Sequence, residues 1–273
     1  MDKLITLFKV ILLAIVEGIS EWLPISSSGH MLLIDEFIYL ELSSAFKELF
    51  FIFIQLGAIL AVILLFYKNI TPILINNKKV IINHNVLKLW KKIIIACIPG
   101  AIVAILFDNF IETHLHTTLI ISSMLVLYGI IFLFIDKIKI KNKDFITSID
   151  TLTYKSSLLI GMFQILSIIP GTSRSGATII GALLLGVSKS LAAEFSFYLA
   201  IPVMFGMSII KLFKYGFIYT LEESILLLIG AAIAFLVSLV VIKFILQYIK
   251  KHDFKVFGIY RIILGSILLL YFF

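Results

Sequence analysis

Long apolar runs alternate with short polar stretches along the chain. Six runs are long enough to cross a bilayer core of about 30 Å, which takes about 20 helical residues. They are Phe46 to Tyr67, Lys92 to Phe107, Thr117 to Ile135, Leu191 to Leu212, Ile225 to Ile245 and Val256 to Phe273. Two further apolar regions are interrupted: Leu4 to Leu40 breaks at "EWLPISSSGH", and Ser156 to Val187 breaks at "IIPGTSRSGAT". The order is one broken segment and three spans, then the same again. Local echoes support a duplication, since "PISSSG" (Pro24 to Gly29) matches "PGTSRSG" (Pro170 to Gly176), and Phe51-Ile52-Phe53 matches Phe195-Ser196-Phe197. Three crossings per half is an odd number, so the second half enters with the opposite orientation. The predicted fold is therefore an all-α polytopic membrane protein with about six transmembrane helices plus two broken re-entrant helix-turn-helix segments. It forms an inverted-topology repeat within a single integral membrane domain, 1–273, whose halves fall at about 1–135 and 156–273.

Composition strengthens this picture. The chain is 61% hydrophobic and only 14% charged, against about 25% charged in soluble domains. With a mean hydropathy of +1.15 it cannot cover its surface with polar groups, and a soluble enzyme is excluded. The net charge of +7 does not imply a nucleic-acid partner, because the lysines sit in short loops without interleaved exposed aromatics. Their placement reads instead as topology. Lys68, Lys78, Lys79, Lys88 and Lys91 lie between the first two spans, Lys137, Lys139, Lys141, Lys143 and Lys155 between the halves, and Lys250, Lys251 and Lys255 before the last span. By the positive-inside rule these loops are cytoplasmic, which puts both termini outside and brings the two breaks toward the bilayer middle from opposite faces. Non-helical backbone at that depth needs protein or a water-filled cavity around it, so the breaks are expected to line one polar cavity. No small-residue cleavage site follows the first apolar run, so the N-terminus is expected to stay in the mature fold. Cys97 reads as a small buried hydrophobe.

The chemistry-bearing residues fall in the two breaks. Glu17 and Glu21 share a helix face, Pro24 stops that helix, and Ser26-Ser27-Ser28-Gly29 turns before His30 opens the next one. Intramembrane ionisable groups cost about 2.5–3.5 kcal/mol each on insertion scales, so two carboxylates and a histidine together need a reason. The second break supplies the complement, with Arg174 inside the small-residue loop Gly171-Thr172-Ser173-Arg174-Ser175-Gly176 ahead of a helical run. Backbone N–H groups, a helix N-terminus, hydroxyls and a guanidinium fork together make a phosphate cradle. Only two of the 23 basic residues are arginines, so arginine here points to planar bidentate geometry; a structural ion pair with Glu17 or Glu21 is the alternative. The acidic pair can hold a divalent cation or take a proton, and the Ser/His pair can attack phosphorus or relay protons. A phosphate ester with its tail in lipid fits the set.

"EGISEWLPISSSGH" resembles the glutamate-rich motif, and "PGTSRSGAT" the PGxSRSxxT motif, of bacterial undecaprenyl-diphosphatases, the bacitracin-resistance family. The resemblance extends to "FFIFIQLGAILAV" from Phe50, "EFSFYLAIPVM" from Glu194 and "YRIILG" from Tyr260. It implies a multi-pass hydrolase of the bacterial cytoplasmic membrane that removes the terminal phosphate of undecaprenyl diphosphate, recycling the lipid carrier of cell-wall synthesis. It also implies a divalent cation, Mg2+ or Ca2+, and an active site open to the outer face. On these positions the expected catalytic residues are Ser27 as nucleophile, His30 in proton transfer, and Glu17 and Glu21 as metal ligands or base. Arg174, Ser173, Thr172 and Ser26 are expected to bind phosphate. A metal-activated water attacking directly, with Ser27 only positioning, is the alternative chemistry. A transporter or flippase of an anionic prenyl lipid is the alternative function, since broken helices in inverted repeats also build secondary transporters.

Other polar residues carry less. His114 and His116 lack a third metal ligand, and His84 and His252 are expected to be solvated in basic loops. Arg261, shortly after the start of the last span, is expected to snorkel to the interface. Gln55 and Gln164 are expected near the cavity, contacting ligand or a neighbouring helix.

Overall fold

The computed structural model describes residues 2–38, 43–76, 79–138, 146–215 and 219–272. The chain forms α1 (Asp2–Ser20), α2 (Ser27–Phe37), α3 (Ser44–Ile70), α4 (His84–His114) and α5 (Thr118–Phe134), and then α6 (Tyr154–Ile165), α7 (Arg174–Leu184), α8 (Lys189–Tyr215), α9 (Leu221–Tyr248) and α10 (Lys255–Phe272). Six helices, α3, α4, α5, α8, α9 and α10, are long and apolar enough to cross a membrane. They are the six runs read from the sequence. The two interrupted regions are the helix pairs α1–α2 and α6–α7, each joined by a break in the α-helix, the second of which begins with a 3-10 turn at Leu166–Ile168.

Two boundaries differ from expectation. α4 begins at His84, so Lys88 and Lys91 ride on a helix instead of a loop. Asn83 caps it by accepting the Asn85 N–H at 3.1 Å, and a basic helical turn beyond the lipid is hydrogen-bonded internally whatever the solvent. Between α3 and α4 lies a small antiparallel hairpin, β1 (Ile73–Asn76) with β2 (Lys79–Ile82), paired from Ile73↔Ile82 to Asn76↔Lys79. Its Ile- and Val-rich arms favour strand pairing over an open loop. Lys78, Lys139, Lys141 and Lys143, used in the topology argument, lie outside the described residues.

The packing pattern carries the inversion. Two pairs of helices in equivalent places in the two halves, α3 with α8 and α5 with α10, pack on each other and run antiparallel. Gly129 of α5 faces Gly258 of α10, whereas Gly265 of α10 faces Ser122 of α5. In α3 and α8, Phe66 stacks edge-on against Tyr198 at 5.1 Å, while at the other end Glu48 pairs with Lys211 at 3.1 Å. The broken helices cross over to the opposite run and lie parallel to their hosts. α1 follows α9, from the Lys3–Glu222 pair at 2.7 Å to Gly18 against Ala234, and α6 follows α4, with Gly161 against Ala96. A Cβ on Gly18 would come 2.9 Å from the Ala234 carbonyl, and one on Gly161 2.0 Å from the Ala96 carbonyl. Only glycine permits these approaches, and close van der Waals packing drives helix association where lipid removes the hydrophobic incentive. The consequence is that the breaks after α1 and α6 start from opposite ends of the bundle and meet inside it.

Candidate active site

The two breaks have the same local construction. α2 starts at Ser27 behind the N-cap Ser26, whose φ is 72°, and α7 starts at Arg174 behind the N-cap Ser173, whose φ is 75°. These are the only non-glycine residues with positive φ among those described. Such backbone costs on the order of 1–3 kcal/mol per residue and persists where surrounding bonds over-determine it. Ser26 Oγ accepts the Gly29 N–H at 3.4 Å and lies 3.0 Å from Ser28 Oγ. Ser173 Oγ accepts the Gly176 N–H at 3.1 Å and lies 3.2 Å from Ser175 Oγ. The second serines then cross between breaks. Ser28 Oγ accepts the Gly171 N–H at 3.2 Å, and Ser175 Oγ donates to the Leu23 carbonyl at 3.3 Å.

Glu21 is where the breaks join chemically. Its Oε2 accepts the Ser27 hydroxyl at 2.9 Å and its Oε1 accepts Arg174 Nη2 at 3.0 Å. Ser27 and Arg174 are the first residues of their helices, so corresponding positions of the two breaks converge on one carboxylate. Arg174 Nη1 donates to the Ser196 carbonyl of α8 at 3.0 Å, so the guanidinium is fixed by two acceptors at once. Ser196 Oγ lies 2.7 Å from Thr178 Oγ1, and Thr178 in turn donates to the Arg174 carbonyl at 3.0 Å. That network braces the start of α7, and the sequence reading did not assign it.

Glu17 lies one turn before Glu21 and is 2% exposed. Gln55 of α3 lies beside it, and Glu17 Oε1 has no hydrogen-bond partner among the described residues. A buried carboxylate oxygen without a partner is costly unless a proton or a cation completes it. The donor set here is oxygen only, from Glu17, Glu21 and Ser27, which suits a hard cation such as Mg2+ or Ca2+. No cluster of three or more His, Cys, Asp or Glu side chains that could hold a metal occurs among the described residues. Two carboxylates leave positions for substrate phosphate oxygens, as magnesium sites do. The residues fit the implied ion.

His30 stands apart from Ser27. Its Nδ1 is 2.7 Å from the Ser26 carbonyl and its Nε2 is 2.6 Å from the Tyr260 hydroxyl. A carbonyl only accepts, so Nδ1 carries the proton; in the neutral ring Nε2 then accepts from Tyr260 O–H. Both nitrogens are engaged, and the ring stacks on Tyr260 with centroids 5.5 Å apart. In this arrangement His30 braces the strained Ser26 backbone.

Thr172 is fully buried with its carbonyl turned away to Arg261, at 3.1 Å from Nη2. Arg261 itself corrects an expectation. It does not snorkel but is 0% exposed, with the Pro24, Met124, Gly171 and Thr172 carbonyls as acceptors. Four inward-turned carbonyls accept from its terminal nitrogens inside the protein, so the guanidinium is not directed to the interface. The one available sequence signal was the scarcity of arginine, which singled out Arg174 but applies equally to Arg261. Gln164 is buried beside Gly100 of α4, and His114 ends α4.

The family model for bacitracin resistance protein BacA matches residues 10–267. The chain belongs to the BacA family. Among similar proteins, one from Enterococcus faecalis named undecaprenyl-diphosphatase is 56% identical over 267 residues, covering 97% of each chain. One from Clostridium acetobutylicum named undecaprenyl-diphosphatase 1 is 51% identical over 269 residues, covering 98% of each. A third, from Desulfitobacterium hafniense and named undecaprenyl-diphosphatase, is 51% identical over 270 residues. The match spans both breaks and all six long helices.

Proposed function

We propose that this BacA-family protein hydrolyses undecaprenyl diphosphate to undecaprenyl phosphate and inorganic phosphate, recycling the lipid carrier of cell-wall synthesis and giving bacitracin resistance. The observation that carries the reading is the convergence of Ser27 and Arg174, from two breaks, on Glu21. A nucleophile, its base and an anion-binding fork are thereby held together. A lipid carrier or flippase needs no activated hydroxyl, and the names of the relatives do not favour it.

The hydroxyl of Ser27 already donates to Glu21, so as Oγ bonds to the terminal phosphorus its proton passes to the carboxylate. The bond from phosphorus to the bridging oxygen breaks, undecaprenyl phosphate leaves, and the phosphoryl group stays on Ser27. Glu21 passes that proton to the leaving undecaprenyl phosphate and is a carboxylate again. It then takes a proton from water as the water oxygen bonds to phosphorus, the bond from phosphorus to Ser27 Oγ breaks, and Glu21 returns the proton to Ser27 as inorganic phosphate is released. Arg174, with the N–H groups at the start of α7, stabilises the phosphoryl oxygens in both steps. Glu17 and Glu21 are the residues that would hold Mg2+ or Ca2+, which when bound would neutralise diphosphate charge. The prenyl tail stays in lipid, and its binding energy makes water-soluble monophosphates poor substrates.

The location is the bacterial cytoplasmic membrane, with the site open to its outer side. This is supported by the lysines at one end of the bundle, whereas Lys3 and Lys211 at the other end are paired with Glu222 and Glu48. The test uses purified protein in detergent with undecaprenyl diphosphate. Phosphate release is expected, EDTA should suppress it, and acid quenching should trap labelled phosphate on the wild type but not on Ser27→Ala. Full turnover by Ser27→Ala would remove the nucleophile, and full turnover in excess chelator would remove the cation.

A further inference from the structure

We propose that Arg261 is a positioning residue for this phosphoryl transfer, one that orients the backbone of both breaks toward the substrate phosphates. The inference rests on the phosphatase reading above.

Arg261 lies on α10, fully buried, with its guanidinium carbon 5.6 Å from the Tyr128 ring and 6.0 Å from the Phe132 ring. No carboxylate among the described residues pairs with it. Its acceptors are main-chain carbonyls, with Pro24 on Nη1 at 3.2 Å and Gly171, Thr172 and Met124 on Nη2 at 2.7, 3.1 and 3.3 Å. Three of the four belong to the breaks. A buried charge is a poor way to gain stability, because an apolar side chain of similar volume often serves packing as well or better. An apolar side chain cannot, however, set the direction of a peptide plane.

In a trans peptide the N–H points away from the C=O it shares a plane with. Drawing the Thr172 carbonyl onto Arg261 therefore sends the Ser173 N–H, just ahead of α7, the opposite way. Gly171, at φ 90°, supplies the conformation that lets two successive carbonyls face one nitrogen. The same guanidinium holds Pro24, three residues before Ser27. It thus ties the nucleophile's loop to the phosphate loop by their backbones, as Glu21 ties them by side chains. Tyr260, next along α10, holds His30 and through it the Ser26 carbonyl. One stretch of α10 grips both strained turns.

The test compares full-length Arg261→Lys, Arg261→Met and Arg261→Ala with wild type in detergent, measuring kcat, KM and melting temperature with undecaprenyl diphosphate. A lysine nitrogen is a single point and cannot span carbonyls on two breaks, so kcat per folded molecule should fall about 10²-fold in Arg261→Lys, as for a misplacement of about 1 Å. KM should change far less, because the tail contacts are intact. Methylguanidinium should restore at least tenfold of the kcat lost in Arg261→Ala, methylammonium should not, and neither should alter wild type. Variants that melt earlier but keep wild-type kcat per folded molecule would overturn the inference, as would the absence of guanidinium rescue. Failure of all three variants to fold would assign Arg261 to stability alone and overturn it equally. Failure of the phosphatase reading would be seen separately, as absence of turnover in wild type.

Discussion

Replacing Arg174 by lysine separates a phosphate-binding guanidinium from one that merely neutralises Glu21. Arg174 donates from two nitrogens to two acceptors 3.0 Å away, Glu21 on one break and Ser196 on α8. Lysine keeps the charge but offers one nitrogen, which can reach one acceptor at a time and cannot present a fork to a phosphoryl group. Losing one preorganised donor at developing negative charge costs about 10²–10³ in turnover, or about 2.7–4 kcal/mol. Folding should suffer much less. The Glu21 pairing survives as a lysine–carboxylate contact, and the lost bond to Ser196 is worth about 1 kcal/mol, or about 2–4 °C in melting temperature for a chain of this size. Arg174→Ala gives the contrast. With side chains only 12% and 9% accessible, the Arg174–Glu21 pair resembles a buried one, and removing one partner of such a pair costs about 3–5 kcal/mol. Phosphate-release rates and thermal melts of both variants decide the matter. Near-normal turnover in Arg174→Lys, with a sharp melting loss only in Arg174→Ala, would refute the phosphate-clamp assignment.

Gly171→Ala should lose both melting temperature and turnover, since φ is 90° and the added Cβ would sit 2.4 Å from the Ile121 carbonyl; a variant with wild-type stability and rate would refute the strained-turn argument. Ahead of α10, Lys189 beside Asp253, at 2.6 Å, holds that carboxyl below the usual aspartate range. A lowered carboxylate pKa contributes stability that is complete above the unfolded value of about 3.9 and is lost as pH falls through the folded value. The melting difference between wild type and Asp253→Asn should accordingly be present at neutral pH and vanish in acid, and a difference that grows in acid would contradict the pairing. For topology, Phe273→Cys in a Cys97→Ala background should react with an impermeant thiol reagent in intact cells; labelling only after lysis would invert the assigned orientation.

The six spans and two breaks were legible because membrane burial forces long apolar runs, so an interruption by Pro24 or Pro170 stands out against them. Glu21, Ser27 and Arg174 were legible because each is chemically out of place in such a run. Pairwise geometry was not. Nothing local to His30 reveals that Tyr260, 230 residues away, takes its Nε2 while its Nδ1 goes to the Ser26 carbonyl. Arg261 was misread for a related reason. Snorkelling follows from the distance between an arginine and the end of its own helix, whereas its actual partners are carbonyls, which every residue carries and which leave no mark in a sequence. The α4 boundary failed differently, since hydropathy measures where lipid ends and not where helical hydrogen bonding ends.

The paired breaks show how two similarly built turns can yield a single chemical centre. Ser26 and Ser173 cap their helices in the same strained conformation, and Ser28 and Ser175 reach across in opposite directions to the other break. These positions do the same job twice, which is what the echo between "PISSSG" and "PGTSRSG" encodes. The position between them differs, with Ser27 in one half and Arg174 in the other, and that difference is where the proposed chemistry resides. Two copies of a hydroxyl would offer a nucleophile without an anion clamp, and two guanidiniums would repel each other across a buried site. With one of each, a single carboxylate from the first half can orient both. Glu21 has no acidic counterpart in the second break, where the residues from Gln164 to Pro170 are uncharged. The asymmetry is thus confined to a few side chains on an otherwise matched backbone.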